Sequence, residues 1–160
     1  MRILGIDPGT SRIGFAIIEK NQDLLKVIDY GCIEIRTKNK AQRLVYLFNK
    51  ISDIIRNRDP DLIAVEDLYF FKNQKTAFSV SEARGVILMA AAKQKRKLIE
   101  PTPLQVKQAL TGYGRASKQQ VQKMVERIFG FKECPQPDDV ADALSIAFFG
   151  LSFKNKNILK

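Results

Sequence analysis

Acidic residues at three distant places in this 160-residue chain stand where carboxylates can do chemistry: Asp7, Glu66, and the group Asp138, Asp139 and Asp142. Asp7 closes the run Ile3-Leu4-Gly5-Ile6, which is apolar on both strand faces like a central strand buried on both sides. Glu66 ends the run Leu62-Ile63-Ala64-Val65 in the same way. The third group opens a helix, with acids three and four residues apart sharing a face. Nothing cationic accompanies them in sequence. Carboxylates gathered without a counter-charge repel one another and raise each other's pKa, so such a cluster ordinarily holds divalent ions, and oxygen-only ligands select Mg²⁺ or Mn²⁺. A pair of ions about 4 Å apart orients a water for in-line attack on a phosphodiester and neutralises the leaving oxygen, without any histidine. A plainer role for Asp7 stands beside this one. The residue precedes Pro8-Gly9-Thr10-Ser11, and an acid at a turn is equally suited to accepting hydrogen bonds from turn amides.

Composition narrows the chemistry. The chain has no histidine, which excludes ordinary zinc sites and histidine-dependent mechanisms, and Cys32 and Cys134 lie far apart with no CxxC pairing. Lys plus Arg number 27 against 17 Asp plus Glu, a net charge of +10 that favours a polyanionic partner. No apolar run reaches the roughly 18 residues of a membrane span, so we expect a cytoplasmic protein with reduced cysteines and no membrane partner. One domain over residues 1–153 is expected, followed by a basic tail, 154–160, that lacks an apolar pattern and frays.

The elements that must position the acids follow in order. The first strand, the turn after Asp7 and a second strand over Ile13 to Ile18 make a hairpin, and Leu24 to Arg36 adds a third antiparallel strand with Asp29 and Gly31 as candidates for a bulge. Leu44, Leu47, Phe48, Ile51 and Ile54 or Ile55 recur at helical spacing, and Asp59-Pro60 closes that helix. A right-handed crossover then lays Leu62–Val65 parallel to the first strand, with Asp7 and Glu66 at neighbouring ends and Asp67 on the opposite face, solvated.

Tyr69-Phe70-Phe71 follow at once, read either as core or as a base-stacking wedge with Lys72 and Lys75 on phosphates. Thr76 to Lys93 is a helix apolar on more than one face, as a subunit interface would make it. Leu98-Ile99 is a brief fifth strand. Thr102-Pro103-Leu104-Gln105 and Ser117-Lys118-Gln119-Gln120 are capping boxes opening two helices, separated by a basic loop containing Arg115. The first of these helices carries Lys107; Lys118 sits in the first turn of the second, where a cation is unfavourable unless it faces an anion. In the last helix Ala143, Ile146 and Gly150 continue a stripe from Asp139 that lets the helix lie close on the sheet. That stripe directs Asp139 toward Asp7 and Glu66, and leaves Asp138, after Pro137, to cap the first turn.

Gly5-Ile6-Asp7-Pro8-Gly9-Thr10, Val65-Glu66, Val106-Lys107-Gln108, Lys118 and Asp139-Val140-Ala141-Asp142-Ala143-Leu144, in this order, resemble the RuvC family of Holliday-junction resolvases across essentially the whole chain. The resemblance implies an α/β, RNase H-like fold: a five-stranded mixed sheet, antiparallel meander plus two parallel strands, flanked by helices. It implies a homodimer that resolves four-way DNA junctions by paired, symmetric, magnesium-dependent nicks, with a preferred short cleavage sequence and the RuvA and RuvB branch-migration proteins as partners. Asp7, Glu66, Asp139 and Asp142 match the family's metal-binding acids, holding two Mg²⁺ ions per subunit for which Mn²⁺ substitutes. Lys107 and Lys118 match basic residues near the scissile phosphate, and Tyr69, where the family often has Phe, keeps a stacking ring.

Three rival readings remain. A Gly-Ile-Asp-x-Gly-Thr hairpin also resembles the first phosphate loop of actin-like ATPases and sugar kinases, although those folds need two such domains. The charge and aromatics equally suit a junction-binding protein without catalysis. The same acids would also serve a YqgF-type nuclease acting on RNA.

Overall fold

Strand β1 (Arg2–Asp7) pairs antiparallel with β2 (Arg12–Asn21), and β2 with β3 (Leu24–Glu34), completing the expected meander. Helix α1 (Lys40–Arg58) then crosses over to β4 (Leu62–Val65), which lies parallel to β1 with Ile6 beside Val65. After α2 (Gln74–Lys93) the short β5 (Lys97–Ile99) adds a further parallel strand, giving the order β3-β2-β1-β4-β5. Helices α3 (Pro103–Thr111), α4 (Lys118–Phe129) and α5 (Asp138–Lys156) complete the chain. This computed structural model describes residues 1–22, 24–68 and 74–156. Among them no helix is long and apolar enough to cross a membrane.

Local sequence explains the boundaries. Asn39 caps α1 by accepting from the Gln42 amide, and Asp59, in a left-handed conformation, ends it. Thr102 and Ser117 each accept from the amide three residues on, while Gln105 and Gln120 reach back to the cap amides, so both capping boxes form. The third strand ends at Glu34, short of the expected Arg36. Its bulge falls where Ile17 pairs with Asp29 and Ile18 with Val27, leaving Ile28 extra; Gly31 pairs regularly with Phe15. Helix α5 runs past the boundary expected at residue 153, to Lys156.

Strand alternation sorts side chains into two cores. Leu4, Ile6, Ile63 and Val65 face α1 and α2, packing with Leu47, Ile51, Ile55, Ala83 and Ile87. Ile3, Leu62 and Ala64 face the other way, packing with Ala143, Leu144 and Ala147 of α5. The same alternation carries Asp7 and Glu66 to the α5 side and Asp67 to the α2 side.

Helix α5 approaches the sheet closely because the strands beneath it offer glycine. A Cβ on Gly5 would stand 2.3 Å from the Ala143 carbonyl oxygen, and one on Gly14 would stand 1.9 Å from that of Asp139. The close-packing stripe of the helix thus runs Asp139, Ala143, Ala147 and Gly150, the last against Ile3; Ile146 is fully buried beside it.

Candidate active site

The ends of β1 and β4 and the start of α5 bring the acids to one place. The Glu66 amide donates to the Ile6 carbonyl at 3.2 Å, so Glu66 continues the parallel pairing and stands beside Asp7. Asp7 is opposite Gly14 in the β1–β2 ladder, and Gly14 is the residue on which Asp139 rests. Asp142, one turn on, joins Glu66, Lys107 and Lys118 in lining a cavity of about 240 Å³ whose other walls are Pro103, Val106, Val121 and Ser145.

The electrostatics are those of acids held together against their repulsion. Burial, then the neighbouring carboxylates of Glu66, Asp142 and Asp139, push Asp7 well above the usual carboxylate range, and Lys118 only partly opposes them. Glu66 is pushed up to about 7 by burial and then by Asp142, with Lys107 pulling the other way. Asp142 is raised chiefly by burial, against the opposing pull of Lys118. Asp139 Oδ2 is shut away from solvent without a hydrogen bond; Arg12 Nε, at 3.4 Å, forms only a loose ion pair with it.

These features test whether a divalent cation suits the site. The donors are all oxygen, their charges repel, and one buried carboxylate oxygen has no hydrogen bond, which is the chemistry of a hard-cation site. Among the described residues, however, no group of three or more acids or cysteines is arranged to hold one ion jointly. The acids fit a cation as a donor set, with the enclosing arrangement not formed.

One expectation needs correction. Asp138 does not cap α5. It is the first residue of the helix, and its carboxylate accepts from Lys118 Nζ at 2.6 Å and Gln122 Nε2 at 3.0 Å, which holds its pKa below the usual carboxylate range. Because α4 packs beside the start of α5, a lysine in its first turn offers a stronger partner than the helix amides. The anion expected to face Lys118 is thus Asp138, and that contact raises the lysine pKa. Asp67 keeps the solvent exposure expected of it, and in addition pairs with Arg84 of α2 at 3.0 Å and accepts from the Leu68 amide at 2.9 Å.

Arg115 lies exposed in the loop between α3 and α4. Tyr69, Phe70 and Lys72 lie outside the described residues, as does the side chain of Lys75. Sequence reasoning passed over Arg12, although an arginine closing the turn after Asp7 is a signal for a charge near that acid. It also passed over Ser145, whose buried Oγ donates to the Ala141 carbonyl at 2.8 Å on the cavity wall and which carries no sequence signal.

Comparison with known proteins completes the picture. A family model described as crossover junction endodeoxyribonuclease RuvC matches residues 3–149. The crossover junction endodeoxyribonuclease RuvC of Caldicellulosiruptor saccharolyticus is 52% identical over 149 residues, 92% of this chain and 90% of that one. The Thermus thermophilus RuvC structure superposes with a TM-score of 0.88 at 30% identity, covering 98% of this chain and 97% of that one. The T. thermophilus RuvC in complex with Holliday junction substrate gives 0.87 at 27%, covering 98% and 96%. With its RNase H-like mixed sheet matched over nearly its whole length, the chain belongs to the RuvC family of crossover junction endodeoxyribonucleases.

Proposed function

We propose that this protein is a structure-selective DNA endonuclease that resolves four-way Holliday junctions by paired, symmetric nicks in recombination and repair. The observation that carries the chemistry is the gathering of Asp7, Glu66, Asp139 and Asp142 on one face of the sheet, beside a cavity walled by Lys107 and Lys118. The four acids would hold Mg²⁺, two ions per subunit, with Mn²⁺ substituting. Bound there, such ions supply an activated water and neutralise the leaving oxygen.

The chain's own residues prepare the site. Burial and mutual repulsion keep the acids poised for a cation rather than for one another. Lys107 and Lys118 both line the cavity, where they would offer positive charge to the negative charge that develops on the phosphoryl oxygens. Asp138 restrains Lys118, and Val106 and Val121 give the cavity an apolar wall that limits water. Arg115 is assigned to the DNA backbone, and Tyr69, Phe70, Lys72 and Lys75 to junction contact on the sequence argument alone.

One active site per chain and a two-fold substrate cut twice call for a homodimer. The exposed stripe Phe78, Ser81, Gly85, Met89 on α2 supports that helix as its interface. RuvA and RuvB are the proposed partner proteins, the cytoplasm the proposed location, and residues 1–153 the proposed nuclease domain, with 154–160 a basic tail whose first three residues extend α5.

Incubating purified protein with a synthetic four-way junction, linear duplex, RNA duplex and ATP, each with and without Mg²⁺, tests the proposal. Symmetric nicks in the junction alone, dependent on Mg²⁺, are expected. Preferential RNA cleavage, ATP hydrolysis without DNA, or junction binding with no cleavage in Mg²⁺ or Mn²⁺ would each replace it with the corresponding rival.

A further inference from the structure

Arg84 lies behind the sheet, on the face opposite the acids, and its side chain is only 17% exposed. From the middle of α2 its guanidinium reaches the point where β4 ends. Nε donates to the main-chain carbonyl of Glu66 at 3.2 Å, and Nη2 pairs with Asp67 Oδ1 at 3.0 Å and with Glu100 Oε2 just beyond β5. Nearby, the Asp67 amide donates to the Pro101 carbonyl at 2.8 Å.

The position of Glu66 in the sheet gives these contacts their meaning. Its amide bonds to Ile6 of β1, and its carbonyl turns to the same strand edge, where the next ladder donor would be Pro8, which has no N–H to give. Arg84 supplies the carbonyl's partner. Were the role of Arg84 only to neutralise Asp67 and Glu100, its Nε need not meet Glu66 at all. A guanidinium has five donors in a fixed fork, so one side chain can bridge a carbonyl and two carboxylates, as a lysine ammonium on a flexible stem cannot with the same rigidity.

We propose that Arg84 is a positioning residue: it fixes the main chain at Glu66 from behind the sheet, so that the Glu66 carboxylate is presented to the divalent cation in one orientation. This rests on the assignment of Glu66 as a metal ligand. Contacts that orient a ligating group typically cost about 10- to 100-fold in metal affinity or activity when removed.

The test measures Mn²⁺ binding to the intact protein by calorimetry, with no DNA present, alongside junction affinity, kcat, KM and thermal unfolding. Arg84→Ala is expected to weaken Mn²⁺ binding about 10- to 100-fold and to lower kcat comparably, with KM for the junction changed by less than about twofold. Arg84→Lys, keeping the charge but not the fork, is expected to fall between Arg84→Ala and the unmodified protein. A role in stability alone would lower the unfolding temperature and leave the Mn²⁺ affinity and kcat of the folded protein unmoved, and that result overturns the proposal. Should Arg84→Ala fail to fold, Arg84→Lys and Glu100→Gln carry the same measurement: weaker Mn²⁺ binding in either supports the proposal, and unchanged affinity in both overturns it. Glu66→Gln serves as the parallel control. If it binds Mn²⁺ and cleaves like the unmodified protein, the fault lies in the assignment of Glu66 rather than in the Arg84 contacts.

Discussion

The carbonyl oxygen of Asp139 occupies the space that a Cβ on Gly14 would need, 1.9 Å from where that atom would sit. Gly14 is also the ladder partner of Asp7. One absent side chain therefore lets the start of α5 settle against the strand that carries the first acid. Gly14→Ala is expected to displace α5 and so to lose metal-dependent cleavage, with overpacking costing about 1–3 kcal/mol of stability. Urea unfolding and junction cleavage on the same preparation check this. Full activity in Gly14→Ala would mean that the contact does not set the position of Asp139.

The acids should make the metal-free protein pH-sensitive in a stated direction. Glu66 has a folded pKa of about 7 against 4.5 for the free side chain. The folded state thus binds more protons than the unfolded state between those values. Stability is undiminished below about 4.5, falls as pH rises toward 7, and stays lower above it, by up to roughly 3 kcal/mol from this residue. Asp7 and Asp142, also raised, act in the same direction. Chemical denaturation in chelator at pH 5 and pH 8 measures the difference, and adding Mg²⁺ at pH 8 is expected to restore part of it. A metal-free protein as stable at pH 8 as at pH 5 would contradict the buried-acid electrostatics.

Asp7→Asn separates stability from activity. Replacing a buried charge that faces three other acids by a neutral amide should stabilise the metal-free protein at pH 8, abolish cleavage and leave junction affinity intact or tighter. Retained cleavage would remove Asp7 from the site and return it to the role of a turn acceptor.

Much of this arrangement was legible in the sequence because it rests on local patterns. Apolar runs ending in Asp7 and Glu66 defined β1 and β4, and the alternation that buries Ile3 on one face and Leu4 on the other fixed the side on which both acids emerge. The stripe on α5 was readable for the same reason. What escaped were contacts between elements distant in sequence. The preference of Asp138 for Lys118 over its own helix amides depends on how α4 docks against α5, and the pairing of Asp67 with Arg84 on how α2 lies behind β4. Neither docking has a periodicity to announce it.

The proposed dimer makes its own prediction through α2. Phe78 and Met89 are 80% and 53% exposed on the same helix whose Ala83, Ile87 and Ala90 are buried against the sheet. Large apolar residues on an otherwise packed helix are natural anchors, and truncating such an anchor at an interface commonly costs about 2 kcal/mol or more, near 30-fold in dimer affinity. Phe78→Asp and Met89→Asp are expected to shift sedimentation toward monomer and to uncouple the two nicks. Unchanged dimers in both variants would place the interface elsewhere.

The two lysines and the two neighbouring acids make the sharpest set of variants. Lys107 and Lys118 line the cavity that Glu66 and Asp142 also line, and the proposed function gives each the task of meeting charge that develops on a phosphoryl oxygen rather than of general attraction to DNA. Lys107→Ala and Lys118→Ala are therefore expected to lower kcat by about 100-fold or more while weakening junction binding much less. Loss of affinity without loss of kcat would make them docking charges only. Asp139 rests on Gly14 with one buried oxygen that has no hydrogen bond and only a loose ion pair to Arg12; if it is a metal ligand as proposed, Asp139→Asn should lose Mg²⁺-dependent cleavage at near-native stability. Asp138 instead restrains Lys118. Asp138→Asn removes a negative charge beside the phosphate path and loosens that lysine, so tighter junction binding with slower but persistent cleavage is expected. The opposite pattern, with Asp138→Asn inactive and Asp139→Asn cutting normally, would move the metal ligand by one residue and leave Lys118 held by a ligand rather than by its neighbour.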